Sequence, residues 1–187
     1  MAHIILVTGG SRSGKSSFAE KYLKEIDGKT LYIATAIAFD EEMKDRVLKH
    51  QSMRPETWDT YEGYKQLDQV IADDGAQYAC LLLDCVTLWV TNLMFEYLET
   101  NDYDTLTQAE IGGVEKKIIY EVERMIEQLR RSNLHVVLVT NEVGSSLVPE
   151  NKLGRIFRDI QGRINQLLGN ASDEVYFVVC GQSMKIK

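Results

Sequence analysis

Short β-branched runs alternate along this chain with longer stretches of helical period. Residues 3 to 8, 29 to 35, 79 to 84, 134 to 140 and 174 to 179 read as strands, and runs such as Ile4-Ile5-Leu6-Val7 and Cys80-Leu81-Leu82-Leu83 are continuously apolar. Continuous rather than alternating hydrophobicity marks strands covered on both faces. Residues 57 to 62 add an edge strand. Between these runs, Phe18, Tyr22, Leu23 and Ile26 share a helical face, as do Ile111, Val114, Ile118, Val122, Met125 and Leu129, and then Leu153, Ile156, Phe157, Ile160, Ile164, Leu167 and Leu168. The alternation predicts an α/β fold in which a mostly parallel sheet carries helices on both faces.

Residues 87 to 98 depart from the one-sided pattern. Leu88, Trp89, Val90, Leu93, Met94, Phe95, Tyr97 and Leu98 cover nearly the whole helix circumference, which predicts burial on several sides, with another subunit as one cover. Residues 99 to 107, with Asn101-Asp102-Tyr103-Asp104, read as a mobile surface loop. Pro55 and Pro149 are the two prolines, and both lie in polar connections rather than at a domain joint. At 187 residues, residues 1–187 form a single domain.

Composition narrows the function. A net charge of -7 and a pI near 5.1 argue against a broad electrostatic footprint for nucleic acid or an anionic membrane, so an anionic ligand must be held locally. The apolar stretch 79 to 95 is interrupted by Asp84, Thr87, Thr91 and Asn92, which is unlike a membrane span. Cys80, Cys85 and Cys180 form no C-x-x-C pair and cannot all pair within one chain. Together with an N-terminus that lacks a signal-peptide pattern, they predict a cytoplasmic protein.

The chemistry begins after the first strand. Gly9-Gly10-Ser11-Arg12-Ser13-Gly14-Lys15-Ser16 satisfies G-x-x-x-x-G-K-[ST] and runs into an amphipathic helix. Glycines let backbone N–H groups wrap a polyphosphate, Lys15 reaches the terminal phosphates, and Ser16 offers a hydroxyl to Mg2+. The plain alternative is a Gly/Ser turn before a helix, which the register of strand, motif and helix disfavours. The apolar strand 80 to 83 ends in Asp84, where a metal-side carboxylate belongs, although a strand-end turn or helix cap would also use an aspartate there.

A nucleotide switch would carry D-x-x-G and N-K-x-D signatures at later strand ends; Asp84-Cys85-Val86-Thr87 and Asn141-Glu142-Val143-Gly144 match neither. Asp40-Glu41-Glu42 opens a helix that continues through Lys44, Arg46, Lys49 and His50 to Arg54-Pro55, a pattern that a solvated helix with dipole-matched charges also satisfies. His50 is the candidate nucleophile, because His3 and His135 open apolar strands. A neutral imidazole can attack phosphorus, with Lys49 and Arg54 stabilising the developing charge. Arg155 and Arg158, at i and i+3, can face one phosphate or lie in solvent.

These motifs, with Tyr32-Ile33-Ala34-Thr35, Trp58, Glu62, Leu83-Asp84-Cys85, Thr91-Asn92, Thr140-Asn141-Glu142-Val143-Gly144, Val148-Pro149-Glu150 and Phe157-Arg158-Asp159, resemble the adenosylcobinamide kinase/adenosylcobinamide-phosphate guanylyltransferase family from the first strand to the C-terminus. The resemblance implies a RecA-like P-loop fold, a trimer, and two reactions of cobalamin nucleotide-loop assembly. One phosphorylates adenosylcobinamide with ATP or GTP. The other transfers GMP from GTP through a histidine–GMP intermediate to adenosylcobinamide phosphate, giving adenosylcobinamide-GDP and pyrophosphate. By position, the resemblance makes His50 the GMP carrier and Lys15 a catalytic residue. It places Gly9 to Ser16, Ala34, Thr35, Ala36, Gln51, Ser52, Met53, Arg54, Glu62 and Asp84 around the nucleotide, with Ser16 and Asp84 on Mg2+. Two positions depart from the family pattern: Lys49-His50 stands where some members have adjacent histidines, and Ser146 where a second glycine is common. The competing readings are a simple P-loop kinase without a guanylyl-enzyme and a noncatalytic nucleotide-gated interaction module.

Overall fold

The structure, a computed structural model, describes residues 1–36 and 57–187. Its strands are β1 (His3–Gly9), β2 (Thr30–Ala34), β3 (Trp58–Glu62), β4 (Cys80–Asp84), β5 (His135–Val139), β6 (Glu174–Val179) and β7 (Gln182–Lys185). They form one sheet in the order β3-β2-β4-β5-β1-β6-β7. Every neighbouring pair is parallel except β6 and β7. The described helices are α1 (Lys15–Lys24), α2 (Leu67–Asp74), α3 (Val86–Tyr97), α4 (Gln108–Arg131) and α5 (Lys152–Ala171).

The continuous apolar strands have the double-sided role expected of them. Ile4, Leu6, Leu81, Leu83, Val136 and Leu138 face a core shared with α2, α3, α4 and α5. Their neighbours Ile5, Val7, Leu82, Val137 and Val139 face the opposite core with Ala19 and Leu23 of α1. Because side chains alternate across a strand, each run feeds both layers.

Register aligns the carboxyl ends of the strands. Glu62 pairs with Ala34, Ala34 with Asp84, Asp84 with Val139 and Val139 with Val7, so five strand ends form one row. In open α/β sheets this edge is where ligands bind, and the loop after β1 emerges from it.

Much of the apolar girth of α3 is buried within one chain. Val86, Thr87, Trp89, Val90, Asn92, Leu93 and Met94 are buried by the sheet and neighbouring helices, and the Trp89 indole N–H donates to Tyr64 O at 2.8 Å. Leu88, Tyr97 and Leu98 are half-buried and Phe95 is exposed, so part of the girth stays open in the single chain.

The expected mobile loop before α4 is tied down in its second half. Leu106 is buried, Tyr103 meets Phe95 edge-on at 6.2 Å, and Lys152 Nζ donates to Asp104 O at 2.7 Å and Leu106 O at 2.8 Å. A reciprocal cap follows, in which Glu110 N–H donates to Thr107 Oγ1 and Thr107 N–H donates to Glu110 Oε2 at 2.7 Å.

Candidate nucleotide-binding site

β1 ends on Gly9 and α1 begins on Lys15, so the intervening turn is short and its backbone is sharply bent. Gly9 has φ +154°, and a Cβ there would lie 2.2 Å from Val178 O, which leaves room for glycine alone. Gly14 caps α1 at φ +102°, and among the described residues no side chain caps the first turn. The amides at the start of α1 therefore stay available to an anion, reinforced by the helix dipole.

Lys15 is 7% exposed and folds over its own loop, donating from Nζ to Gly10 O at 2.5 Å and to Ser13 Oγ at 3.5 Å. Burial pushes its ammonium below the ordinary lysine value, while the charge of the Asp84 carboxylate opposes that shift. Asp84 thus lies within electrostatic reach of Lys15. Its carboxylate also accepts a hydrogen bond from Tyr32 OH at 3.3 Å. Burial pushes the neighbouring Cys85 thiol up to about 11, so it is neutral beside Lys15.

Among the described residues no three carboxylate, histidine or cysteine side chains cluster to cage a metal. The Ser16 hydroxyl and Asp84 carboxylate are nevertheless hard oxygen donors. One or two such ligands plus substrate phosphates are the set that Mg2+ takes in nucleotide sites, so the residues present fit the ion.

Other expected site residues divide by location. Ala34 is buried, Ala36 is half-buried, and Glu62 stands across from Ala34 at the row of strand ends. Thr35 is fully buried, and its hydroxyl is spent on the protein: Oγ1 donates to Cys85 O at 2.7 Å and accepts from Cys85 N–H at 3.1 Å. The Asn92 amide takes the remaining Thr35 carbonyl at 2.7 Å. The side chain of Thr35 therefore positions the segment after Asp84. His50, Gln51, Ser52, Met53 and Arg54 lie outside the described residues.

A polar cluster behind β5 joins Thr140 and Asn141, singled out in the sequence, to Thr87, Gln161 and Asn165, which were not. Thr87 Oγ1 accepts from Asn141 N–H at 2.7 Å, Thr140 Oγ1 donates to Asn165 Oδ1 at 2.7 Å, Gln161 Nε2 donates to the same Oδ1 at 2.8 Å, and Asn165 Nδ2 donates to Asn141 O at 3.0 Å. Glu142 N–H then donates to Gly9 O at 3.0 Å, linking this strand end to the loop after β1. The available signal was Gln161 and Asn165 four residues apart beside the apolar stripe of α5. Arg155 donates to Pro149 O at 2.9 Å and to Glu150 O, and Arg158 pairs with Asp159 at 2.9 Å, so each guanidinium has a protein partner. His3 bonds to Glu174 at 3.2 Å, the structural role expected of it, and His135 is exposed.

A strand–loop–helix anion cradle with a lysine inside it, an acid at the end of a nearby parallel strand and this strand order define a P-loop nucleotide-binding α/β protein. Its fold resembles that of the RadB recombinase, with a TM-score of 0.50 at 15% identity over 94% of this chain and 73% of that one. No described helix is long and apolar enough to cross a membrane. The chain belongs to the CobU family, cobinamide kinase / cobinamide phosphate guanyltransferase, which it matches over residues 5–186. It is 45% identical to the bifunctional adenosylcobalamin biosynthesis protein CobU of Escherichia coli (strain K12), over 98% of this chain and 99% of that protein. It is 46% identical to the protein of the same name from Salmonella typhimurium (strain LT2), with the same coverage. The bifunctional adenosylcobalamin biosynthesis protein CobP of Pseudomonas aeruginosa is 34% identical, over 97% of this chain and 96% of that one.

Proposed function

We propose that this protein carries out both reactions of its family at one P-loop site: phosphorylation of adenosylcobinamide by ATP or GTP, and guanylylation of adenosylcobinamide phosphate by GTP. The observation that carries the reading is a buried Lys15 inside a glycine-shaped cradle, with Asp84 at the end of β4 within its electrostatic reach, in a chain that matches the family over residues 5–186.

In the kinase reaction the substrate hydroxyl oxygen bonds to the γ-phosphorus, the bond from that phosphorus to the β–γ bridging oxygen breaks to release ADP or GDP, and the hydroxyl proton passes to solvent. In the guanylyl reaction an imidazole nitrogen of His50 bonds to the α-phosphorus of GTP and pyrophosphate departs. An oxygen of adenosylcobinamide phosphate then takes the GMP and frees the imidazole. Lys15 supplies positive charge to the phosphate oxygens, and the α1 amides orient them. Ser16 and Asp84 would hold Mg2+, which when bound neutralises phosphate charge and supports the leaving group. Ala34 and Glu62 stand at the row of strand ends, and the resemblance assigns them to the nucleotide together with Ala36 and residues 51 to 54, while Thr35 contributes by positioning.

Three unpaired cysteines suit a reducing cytoplasm. The trimer implied by the resemblance belongs to the same proposal, and light scattering measures the assembly directly. The functional test is incubation with α-labelled GTP. The protein should acquire acid-labile, alkali-stable label, and His50→Ala should acquire none. Label retained by that variant refutes His50 as the carrier. Transfer of γ-phosphate with no protein-bound GMP would instead identify a simple kinase.

A further inference from the structure

We propose that the turn of the C-terminal hairpin, Cys180-Gly181, is a strap that sets the shape of the P-loop, with Gly181 as a positioning residue for nucleotide phosphate. This rests on residues 9 to 16 being the nucleotide cradle.

The contact is direct. Gly181 N–H donates to Ser13 O at 2.9 Å, in the middle of the loop. Both bent glycines of the loop are shaped to the same hairpin. A Cβ on Gly9 would strike Val178 O at 2.2 Å, and a Cβ on Gly14 would sit 3.2 Å from Gly181 Cα. The turn is a two-residue link between Val179 and Gln182 with positive φ at both positions, 51° at Cys180 and 75° at Gly181. That geometry matches the twist of tight antiparallel hairpins and holds the Gly181 N–H against the loop.

β6 is built into the sheet, with Val175 and Val178 buried, but β7 is not. Every residue of β7 is exposed, and Val179, Met184 and Ile186 are 46%, 54% and 61% exposed, so apolar burial does not account for it. It is fastened instead at its far end. Ile186 N–H donates to Val175 O at 2.8 Å, and Lys187 Nζ donates to Gly169 O at 3.0 Å, Asn170 O at 3.2 Å and Ser172 O at 2.6 Å at the end of α5. An exposed strand anchored to α5 at one end and to Ser13 at the other acts as a tie. Fixing the Ser13 carbonyl fixes the Ser13–Gly14 peptide plane, and with it the aim of the amides that meet phosphate. The ordering is in place before ligand arrives, which favours binding.

The test is Mg2+–GDP binding by calorimetry on the full chain, with amide hydrogen exchange read at residues 10 to 15 and across β4 and β5. Gly181→Pro removes the donor and cannot adopt the native φ. It should weaken GDP roughly three- to tenfold, the value of one lost hydrogen bond, and speed exchange at residues 10 to 15 while β4 and β5 stay protected. Gly181→Asn, which keeps the N–H and tolerates the left-handed conformation, should bind within about twofold of wild type. If the proline variant does not fold, Gly181→Ala carries the test, because nothing lies within 4 Å of its added Cβ and only φ is strained; it should weaken GDP about threefold. A folded proline or alanine variant with unchanged affinity overturns the strap, as does an asparagine variant as weak as the proline one. Lys15→Ala separates the two readings. If it binds GDP as well as wild type, the cradle assignment itself fails. If it loses GDP while the hairpin variants do not, only the strap fails.

Discussion

Replacing Thr35 with valine isolates what holds the segment after Asp84. Valine nearly preserves the shape of threonine but removes the hydroxyl that donates to Cys85 O at 2.7 Å and accepts from Cys85 N–H at 3.1 Å. Thr35 is fully buried, so water cannot replace the lost partner without rearrangement. Two hydrogen bonds at about 0.5–1.5 kcal/mol each, with the cost of leaving a buried donor and acceptor unpaired, give about 2–4 kcal/mol of destabilisation. For a chain of this length each kcal/mol lowers Tm by about 2–4 °C, so calorimetry should show a drop of about 4–16 °C. Because Cys85 follows Asp84, Mg2+–nucleotide affinity measured well below Tm should fall as well. Thr35→Ser retains the hydroxyl and should lose less than half as much stability. A Thr35→Val protein melting within about 2 °C of wild type would refute the argument. A serine variant as damaged as the valine one would show that the methyl group, rather than the hydroxyl, matters.

Asn165→Leu should cost about 1–3 kcal/mol in urea denaturation, since Thr140 and Gln161 lose an acceptor and Asn141 O a donor in a buried cluster. Hydrogen bonds from the Thr107 backbone N–H and then its hydroxyl hold the Glu110 carboxyl below the usual glutamate value. A depressed folded value means that this contribution is present above the ordinary value of about 4.3 and is lost as pH falls through the folded one. The stability gap between wild type and Glu110→Ala in urea melts should therefore be largest near neutral pH and shrink below about pH 4. A thiol reagent at pH 8 should label Cys180 quickly, while Cys80 and Cys85, both raised by burial, should react fully only on unfolding. Rapid loss of all three thiols in the folded protein would contradict that placement.

The sheet was legible because its strands, covered on both faces, are written as unbroken apolar runs, and the P-loop because its residues make their contacts locally. The edges were not. α2 buries only Leu67 and Ile71, and β7 buries nothing, so neither leaves a hydrophobic period to read. The all-round apolar pattern of α3 correctly predicted burial, but periodicity does not distinguish a neighbouring helix from a neighbouring subunit. Within the site, Asp84 was identified by its position at a strand end. The part played by Thr35 was not, because its partner Cys85 lies 50 residues away and is brought close by the pairing of β2 with β4. Gln161, Asn165 and Gly181 act through the same kind of long-range juxtaposition, which leaves no local motif.

The central claim is that one cradle serves both chemistries. Lys15→Ala should therefore be assayed with γ-labelled GTP and adenosylcobinamide for phosphoryl transfer, and in parallel with α-labelled GTP for formation of guanylyl-protein. A single shared site predicts that both signals fall together, by at least about 100-fold, in a protein whose Tm stays near that of wild type. If either activity persists at wild-type level while the other is lost, the two reactions do not share the Lys15 site and the account is wrong.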